Sequence, residues 1–292
     1  MTNYFLWISL VFFLLASILP SQHKMYRMLT GGTGWIFFAI YWALQPLYYI
    51  KEGDITMILL TLVVALICII IAHLMYSTYL DSKKGIKNDN PTDRQKTMTA
   101  VTTITAVGCL FYFPFAEIES LNHFLISIVT SQTFWLAQMA GFPVERFDWN
   151  VIILEGYRVE IILACTAIES IALFLGIILG IKAERKRVFM ALMASIPVIY
   201  ALNLIRNAFV IGAYGYNWFG TGPMTINILG NEFFLHESAS FYLGHHIIAK
   251  AGSGIALFFI AYSVLILLPE LLELIDNLLL LIREDLWLIR RV

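Results

Sequence analysis

Residues 55–80 read ITMILLTLVVALICIIIAHLMYSTYL, with no Asp, Glu, Lys or Arg among them. At about 1.5 Å of rise per residue the run makes a helix of about 39 Å, longer than the ~30 Å hydrocarbon core of a bilayer. A helix that is apolar all round has no face to offer water, so the segment reads as a membrane span. Working outward, similar runs occupy Tyr4–Pro20, Thr33–Ile50, Thr99–Ile118, Cys165–Lys182, Val188–Gly212 and His246–Leu268. The composition agrees. Of 292 residues 60% are hydrophobic and 13% charged, with a mean hydropathy of +0.79. A soluble domain carries about 25% charged residues, so a soluble enzyme and a disordered chain are excluded. Lys+Arg 19 against Asp+Glu 20 leaves a net charge of −1, which excludes a nucleic-acid binder. Cys68, Cys109 and Cys165 make no disulfide framework and no CxxC, so neither a structural metal nor any other cofactor is expected.

Loop charge orients the spans. Lys and Arg collect at Ser21–Gly32 (Lys24, Arg27), Asp81–Met98 (Lys83, Lys84, Lys87, Arg94, Lys96) and Lys182–Arg187, whereas Tyr214–Gly244 has none. The positive-inside rule makes the first three cytoplasmic and the last external. The expectation is seven helices, with an eighth left open, the N-terminus outside and the C-terminus inside. Tyr4–Pro20 lacks a basic n-region and an Ala-x-Ala-like cleavage site, so it is read as an anchor helix. The run Leu121–Phe142, interrupted by His123, Ser127, Ser131, Gln132 and Gln138, is expected to lie at the external interface or re-enter, because another crossing would break the parity.

Two segments have a different texture. Arg146–Leu163, RFDWNVIILEGYRVEIIL, is β-branched and aromatic around Glu155-Gly156 and predicts a small external hairpin. Pro269–Val292 sets Glu270, Glu273, Asn277, Glu284 and Arg291 opposite leucines, which predicts an interfacial helix on the cytoplasmic leaflet. The fold class is therefore an all-α polytopic membrane protein with one external hairpin. Residues 1–268 form one membrane-embedded catalytic domain, with the chemistry within 146–268, and 269–292 form the amphipathic helix.

In such a chain the informative side chains are those that cost free energy to bury. Arg206 lies inside the sixth span, and Asn203 and Asn207 share its face. It is either a snorkelling anchor or a cation facing a polar cavity. Cys165, in Ala164-Cys165-Thr166-Ala167, stands at the external end of the fifth span, where a helix N-terminus favours a thiolate. Cys68 and Cys109 sit in mid-span and read as small hydrophobes. Glu169 needs a partner, with Arg206 and Arg158 as the candidates. His245 and His246 open the seventh span, while His73, His123 and His236 read as structural. Loop charge thus brings Cys165, Arg206 and His245 to one membrane depth. A thiol, an imidazole and a guanidinium are the parts of cysteine acyl transfer: nucleophile, general acid/base and oxyanion stabiliser.

Three blocks carry a family resemblance: Ala164-Cys165-Thr166-Ala167, Asn203-x-x-Arg206-Asn207, and His245-His246-Ile247-Ile248-Ala249-Lys250-Ala251-Gly252-Ser253. In this order they resemble the exosortase/archaeosortase family, its archaeal branch in particular. The resemblance implies a membrane cysteine transpeptidase of the cell membrane, acting at the external face. Its partners would be exported proteins ending in a short motif (PGF-type in the archaeal branch), an apolar helix and a basic tail. It would cleave near the motif and pass the new C-terminus to a membrane lipid, anchoring surface-layer proteins. Cys165 matches the family's cysteine, Arg206 its arginine and His245 its third position, with His246 the alternative register. Thr166, Glu169, Asn203 and Asn207 would support them. The rival readings from the residues are a lipid or glycan acyltransferase and, outside enzymes, an anion transporter with Arg206 as its site.

Overall fold

The computed structural model describes residues 3–52, 55–84, 91–228 and 231–289. Lys87 and Arg291, and the side chains of Lys84, His236, Glu237 and Glu284, lie outside the described residues. The chain is largely helical, as expected: α1 (Asn3–Ile18), α2 (Lys24–Leu44), α3 (Pro46–Glu52), α4 (Ile55–Lys84), α5 (Pro91–Glu117), α6 (Glu119–Met139), α7 (Ile168–Leu179), α8 (Arg185–Gly215), α9 (Ala239–Phe241), α10 (Lys250–Leu267) and α11 (Glu270–Ile289). Among the described residues four helical stretches are long and apolar enough to cross a membrane: Met57–Lys83, Arg94–Glu117, Arg185–Gly215 and Ala239–Leu267. Asn3–Ile18 and Ile168–Leu179 are apolar but shorter, so length alone does not carry the expected seven. Leu59, Leu60, Leu62, Val63, Leu66 and Ile67 of α4 stand exposed, a surface that suits lipid and not water.

Two compact units divide the chain. The first holds Met1–Phe111, Leu175–Val188 and Leu267–Val292. Its α1 and α2 pack through aromatic rings: Phe13, fully buried, lies 5.0 Å from Trp35 and 5.6 Å from Phe38. Polar groups in this interior are satisfied across helices. Trp35 Nε1 donates to Thr102 Oγ1 at 3.0 Å, and Thr33 Oγ1 meets the Tyr76 hydroxyl at 2.8 Å. The end of α7 runs against α5 over Gly176 and Gly180, four residues apart. A Cβ at Gly176 would meet the Ile104 carbonyl oxygen at 2.7 Å, and one at Gly180 the Ile104 Cα at 2.6 Å. This is the small-xxx-small contact that lets membrane helices approach closely. At the start of α11, Glu270 takes both guanidinium arms of Arg187.

The second unit holds Tyr112–Phe174 and Phe189–Ile266. The expected hairpin is there: β2 (Val151–Leu154) and β3 (Tyr157–Glu160) pair antiparallel about Glu155 (φ 50°) and Gly156 (φ 83°). Positive φ at both central residues is the turn whose twist matches a two-residue hairpin. A third strand, β1 (Glu145–Arg146), pairs with β2, and β4 (Pro223–Ile228) with β5 (Asn231–Ser238) forms a second ribbon. The helical class holds, and the single expected hairpin is extended to a three-stranded sheet with a separate two-stranded ribbon. A two-residue strand is too short for an alternating pattern to show, and its pairing comes from β2.

Ile152 and Leu154 point inward from β2 onto Ile126 and Val129 of α6 and Ile211 of α8, and Leu163 and Cys165 pack against this core. Gly215 permits the fit, since a Cβ there would lie 2.5 Å from Leu154. The ambiguous run is one unbroken helix, α6. Its polar residues face the hairpin and α8: His123 lies against Trp149 at 4.4 Å, Ser131 Oγ accepts from Arg146 at 2.9 Å, and Gln132 accepts from the Tyr200 hydroxyl.

Candidate active site

Cys165 does not open a helix. It ends a 3-10 turn, Leu163–Cys165, and α7 begins at Ile168. Between them Ala167 stands at φ 62°, a left-handed conformation that costs a residue with a Cβ roughly 1–2 kcal/mol. Such strain persists where surrounding contacts over-determine it. Here they do. Thr166, 1% exposed, donates its hydroxyl to the Leu163 carbonyl at 2.7 Å and receives the Ile168 N–H at 3.4 Å.

The firmest contacts come from α8. Asn203 and Asn207, one turn apart on one face, both donate their side-chain amides to the Cys165 carbonyl, at 2.7 and 2.9 Å. Both side chains are buried, where an amide left without its partner is costly. Asn207 also accepts from Arg206 Nη1 through Oδ1, at 3.4 Å. The carbonyl of the cysteine and the guanidinium are thus joined through a single side chain. The backbone N–H of Cys165 is bonded to Ile162 O at 2.8 Å, and that of Thr166 to Leu163 O at 2.9 Å. Neither is free to donate to an oxyanion, so the backbone amides of these two residues are not available for that role.

His245 sits in a π-helical stretch, Tyr242–Ala249, between α9 and α10. The i→i+5 spacing admits an extra residue per turn and is common at functional positions. Ser238 caps the start of this helix by accepting the Phe241 N–H at 3.2 Å. Buried Ser240 accepts from Phe219 N–H at 3.0 Å and donates to the Gly220 carbonyl at 2.8 Å, which ties the stretch to the turn after α8. A row of rings then holds the histidine: Tyr157 of β3 against Tyr214 of α8 at 4.8 Å, Tyr214 against Phe241 at 5.2 Å, and Phe241 stacked on His245 at 5.1 Å and 14°. The rings of His245 and His246 are perpendicular, 4.5 Å apart. The His245 Nδ1 is buried without a hydrogen-bond partner among the described residues. An unpaired buried nitrogen is costly and points to a group held for something other than stability.

Beside this constellation lies a cavity of about 630 Å³, with Arg206, Asn203, Glu169, Ser170, Lys250 and Ser253 as its polar lining. Apolar side chains such as Leu202, Phe209 and Leu257 line the rest. Glu169 does not pair with Arg206 or Arg158 as expected. It accepts from the Tyr112 hydroxyl at 3.3 Å, and Arg158 lies over the Phe147 ring at 4.2 Å. Cys165 and His245 are not hydrogen-bonded to each other. The structure therefore joins Cys165, Asn203, Asn207 and Arg206 by direct bonds, with Thr166 bracing the turn through Leu163 and Ile168, and no hydrogen bond among the described residues ties His245 to them. Sequence reasoning missed Tyr157, Tyr214 and Phe241. Their signal, three aromatics far apart in the chain, has no local pattern.

Comparison with known proteins gives three results. A family model described as Transmembrane exosortase matches residues 2–224, ending before the histidine pair. The chain is 26% identical over 288 residues to archaeosortase A of Haloferax volcanii, an alignment covering 89% of this chain and 86% of that protein. It is 23% identical over 273 residues to archaeosortase A of Natronomonas pharaonis, covering 89% and 81%. No solved structure matches it.

Proposed function

Because the chain belongs to the transmembrane exosortase family, we propose that it is a membrane sorting transpeptidase with Cys165 as nucleophile. Its substrates are exported proteins that carry a C-terminal motif, apolar helix and basic tail, and the acceptor is a membrane lipid. The site faces the exterior of the cell membrane, and residues 1–268 act as one catalytic domain. The observation that carries this reading is the double amide clamp on the Cys165 carbonyl, with Arg206 joined to the same clamp.

The clamp sets the peptide plane of the cysteine, and with it the direction in which the side chain leaves the backbone. The Cys165 thiolate attacks the scissile carbonyl, whose carbon becomes tetrahedral and whose oxygen takes the negative charge. With the Cys165 and Thr166 amides already used, Arg206 is the side chain suited to hold that oxygen, a permanent charge in a planar fork. Collapse expels the C-terminal fragment as an amine, protonated by His245 with the proton it took from the Cys165 thiol. The thioester then passes to the lipid nucleophile, whose proton returns to His245. The adjoining cavity, apolar walls with a few polar groups, suits an extended peptide next to an apolar helix.

Trapping the thioester tests the assignment. Wild-type protein incubated with a substrate bearing the C-terminal signal should yield a hydroxylamine-sensitive adduct on Cys165. Cys165→Ala should process nothing while inserting normally, and Cys68→Ala and Cys109→Ala should process almost as the wild type does. An active Cys165→Ala variant would sink the acyl-enzyme and return the case to a histidine-based acyltransferase. Anion uptake unchanged by the same substitution would favour the transporter.

A further inference from the structure

The first unit contains a second cavity that the proposed chemistry does not use, with a volume of about 740 Å³. It opens where helix ends meet: the end of α1, the start of α2, the start of α5, the end of α7 and the start of α11. Its charged lining is Lys24, Arg27, Lys96, Lys182, Glu270 and Glu273. Glu270 is already neutralised by Arg187. Arg27 turns Nε to the Ala16 carbonyl at 3.0 Å. Among the described residues no carboxylate lies within ion-pairing distance of Lys24, Arg27 or Lys182. Against these cations stands one remaining carboxylate, Glu273. The excess positive charge comes from separate elements, so it belongs to the cavity and not to one helix face.

The rest of the lining is mixed. Thr99 and Asn277 offer hydrogen bonds, while Met28 and Leu274 offer apolar contact. Cations and hydroxyls beside apolar wall, at the ends of membrane helices, match a headgroup phosphate with the first carbons of its chains. Basic pockets of this kind between helices bind anionic lipid. We propose that this cavity is a binding site for the phosphate headgroup of an anionic phospholipid, separate from the cysteine centre.

The full-length protein, equilibrated in mixed micelles of equal phosphatidylglycerol and phosphatidylcholine and then re-purified, provides the test. Lipid is counted by mass spectrometry. The wild type should retain phosphatidylglycerol in preference, and the preference should fall as salt is raised. Lys24→Gln with Lys182→Gln, both exposed positions, should lower retention by about fivefold for each cation removed. Lys186→Gln, which does not line the cavity, should leave it unchanged. Equal retention of the two lipids, or a preference indifferent to salt, overturns the proposal, and the salt arm needs no variant to fold. Inorganic phosphate that displaces the lipid completely at equal concentration assigns the site to a free anion instead. Processing activity is not the readout, so failure here leaves the transpeptidase reading untouched.

Discussion

Asn207 holds two partners at once, the Cys165 carbonyl and Arg206, whereas Asn203 holds the carbonyl alone. Removing one donor from a buried carbonyl costs about 1–3 kcal/mol. Asn207→Ala should therefore slow processing more than Asn203→Ala, by at least about tenfold relative to wild type, at matched membrane levels. Equal rates for the two variants would show that the link to Arg206 carries no weight. The cationic groups separate in the same assay. Lysine at Arg206 keeps charge and loses the fork, so Arg206→Lys should fall by about 10²–10³, the cost of one oxyanion donor. His245→Arg should keep partial activity, since arginine still presents a charged N–H donor at that position, and His246→Ala should matter little. A dead His246→Ala beside an active His245→Ala would move the assignment by one residue. At this scale the sequence was legible in part. The i, i+3, i+4 spacing put Asn203, Arg206 and Asn207 on one face, but nothing local says that the amides close on a backbone carbonyl 38 and 42 residues away.

Among the elements, the two turns that aim the site are the least regular. The Cys165 turn ends in a left-handed Ala167, and the histidines lie on π-helical backbone. Neither is visible in a hydropathy pattern, which registers periodicity and not strain. The hairpin was legible, because Glu155-Gly156 between β-branched runs names its own turn. The close approach of α7 to α5 is also legible in principle, from the Gly176 and Gly180 spacing. At the start of α11, Arg187 holds the Glu270 carboxyl below its ordinary value of 4.5 by hydrogen bonding. A carboxylate with a depressed folded value contributes stability above the unfolded value, and the contribution is lost as pH falls through the folded one. Docking of α11 should therefore weaken as pH drops below about 4.5, and Glu270→Gln should abolish that dependence. Limited proteolysis of α11 across pH 3–7 would measure it, in steps of about one unit around the carboxylate range. A pH response retained by Glu270→Gln would assign it to another carboxylate.

For the whole molecule, orientation rests on loop charge. Cysteine labelling in intact cells should reach Thr221→Cys from outside and Lys186→Cys only after permeabilisation. Access to Cys165 from the cytoplasmic side alone would end the sorting reading, because exported substrates could not meet the thiol. By itself the sequence determined the solvent of this protein and singled out the candidate reactive side chains. Burying charge in lipid is so costly that composition alone reveals the bilayer, and the few polar residues left in the spans stand out by their cost. Only the tertiary structure decided what those residues hold: the clamp on Cys165, the used amides around it, the ring row behind His245 and the polar face of α6. Each of these depends on contacts between segments far apart in the chain. Their energies come from packing and burial that exist only once the helices have come together.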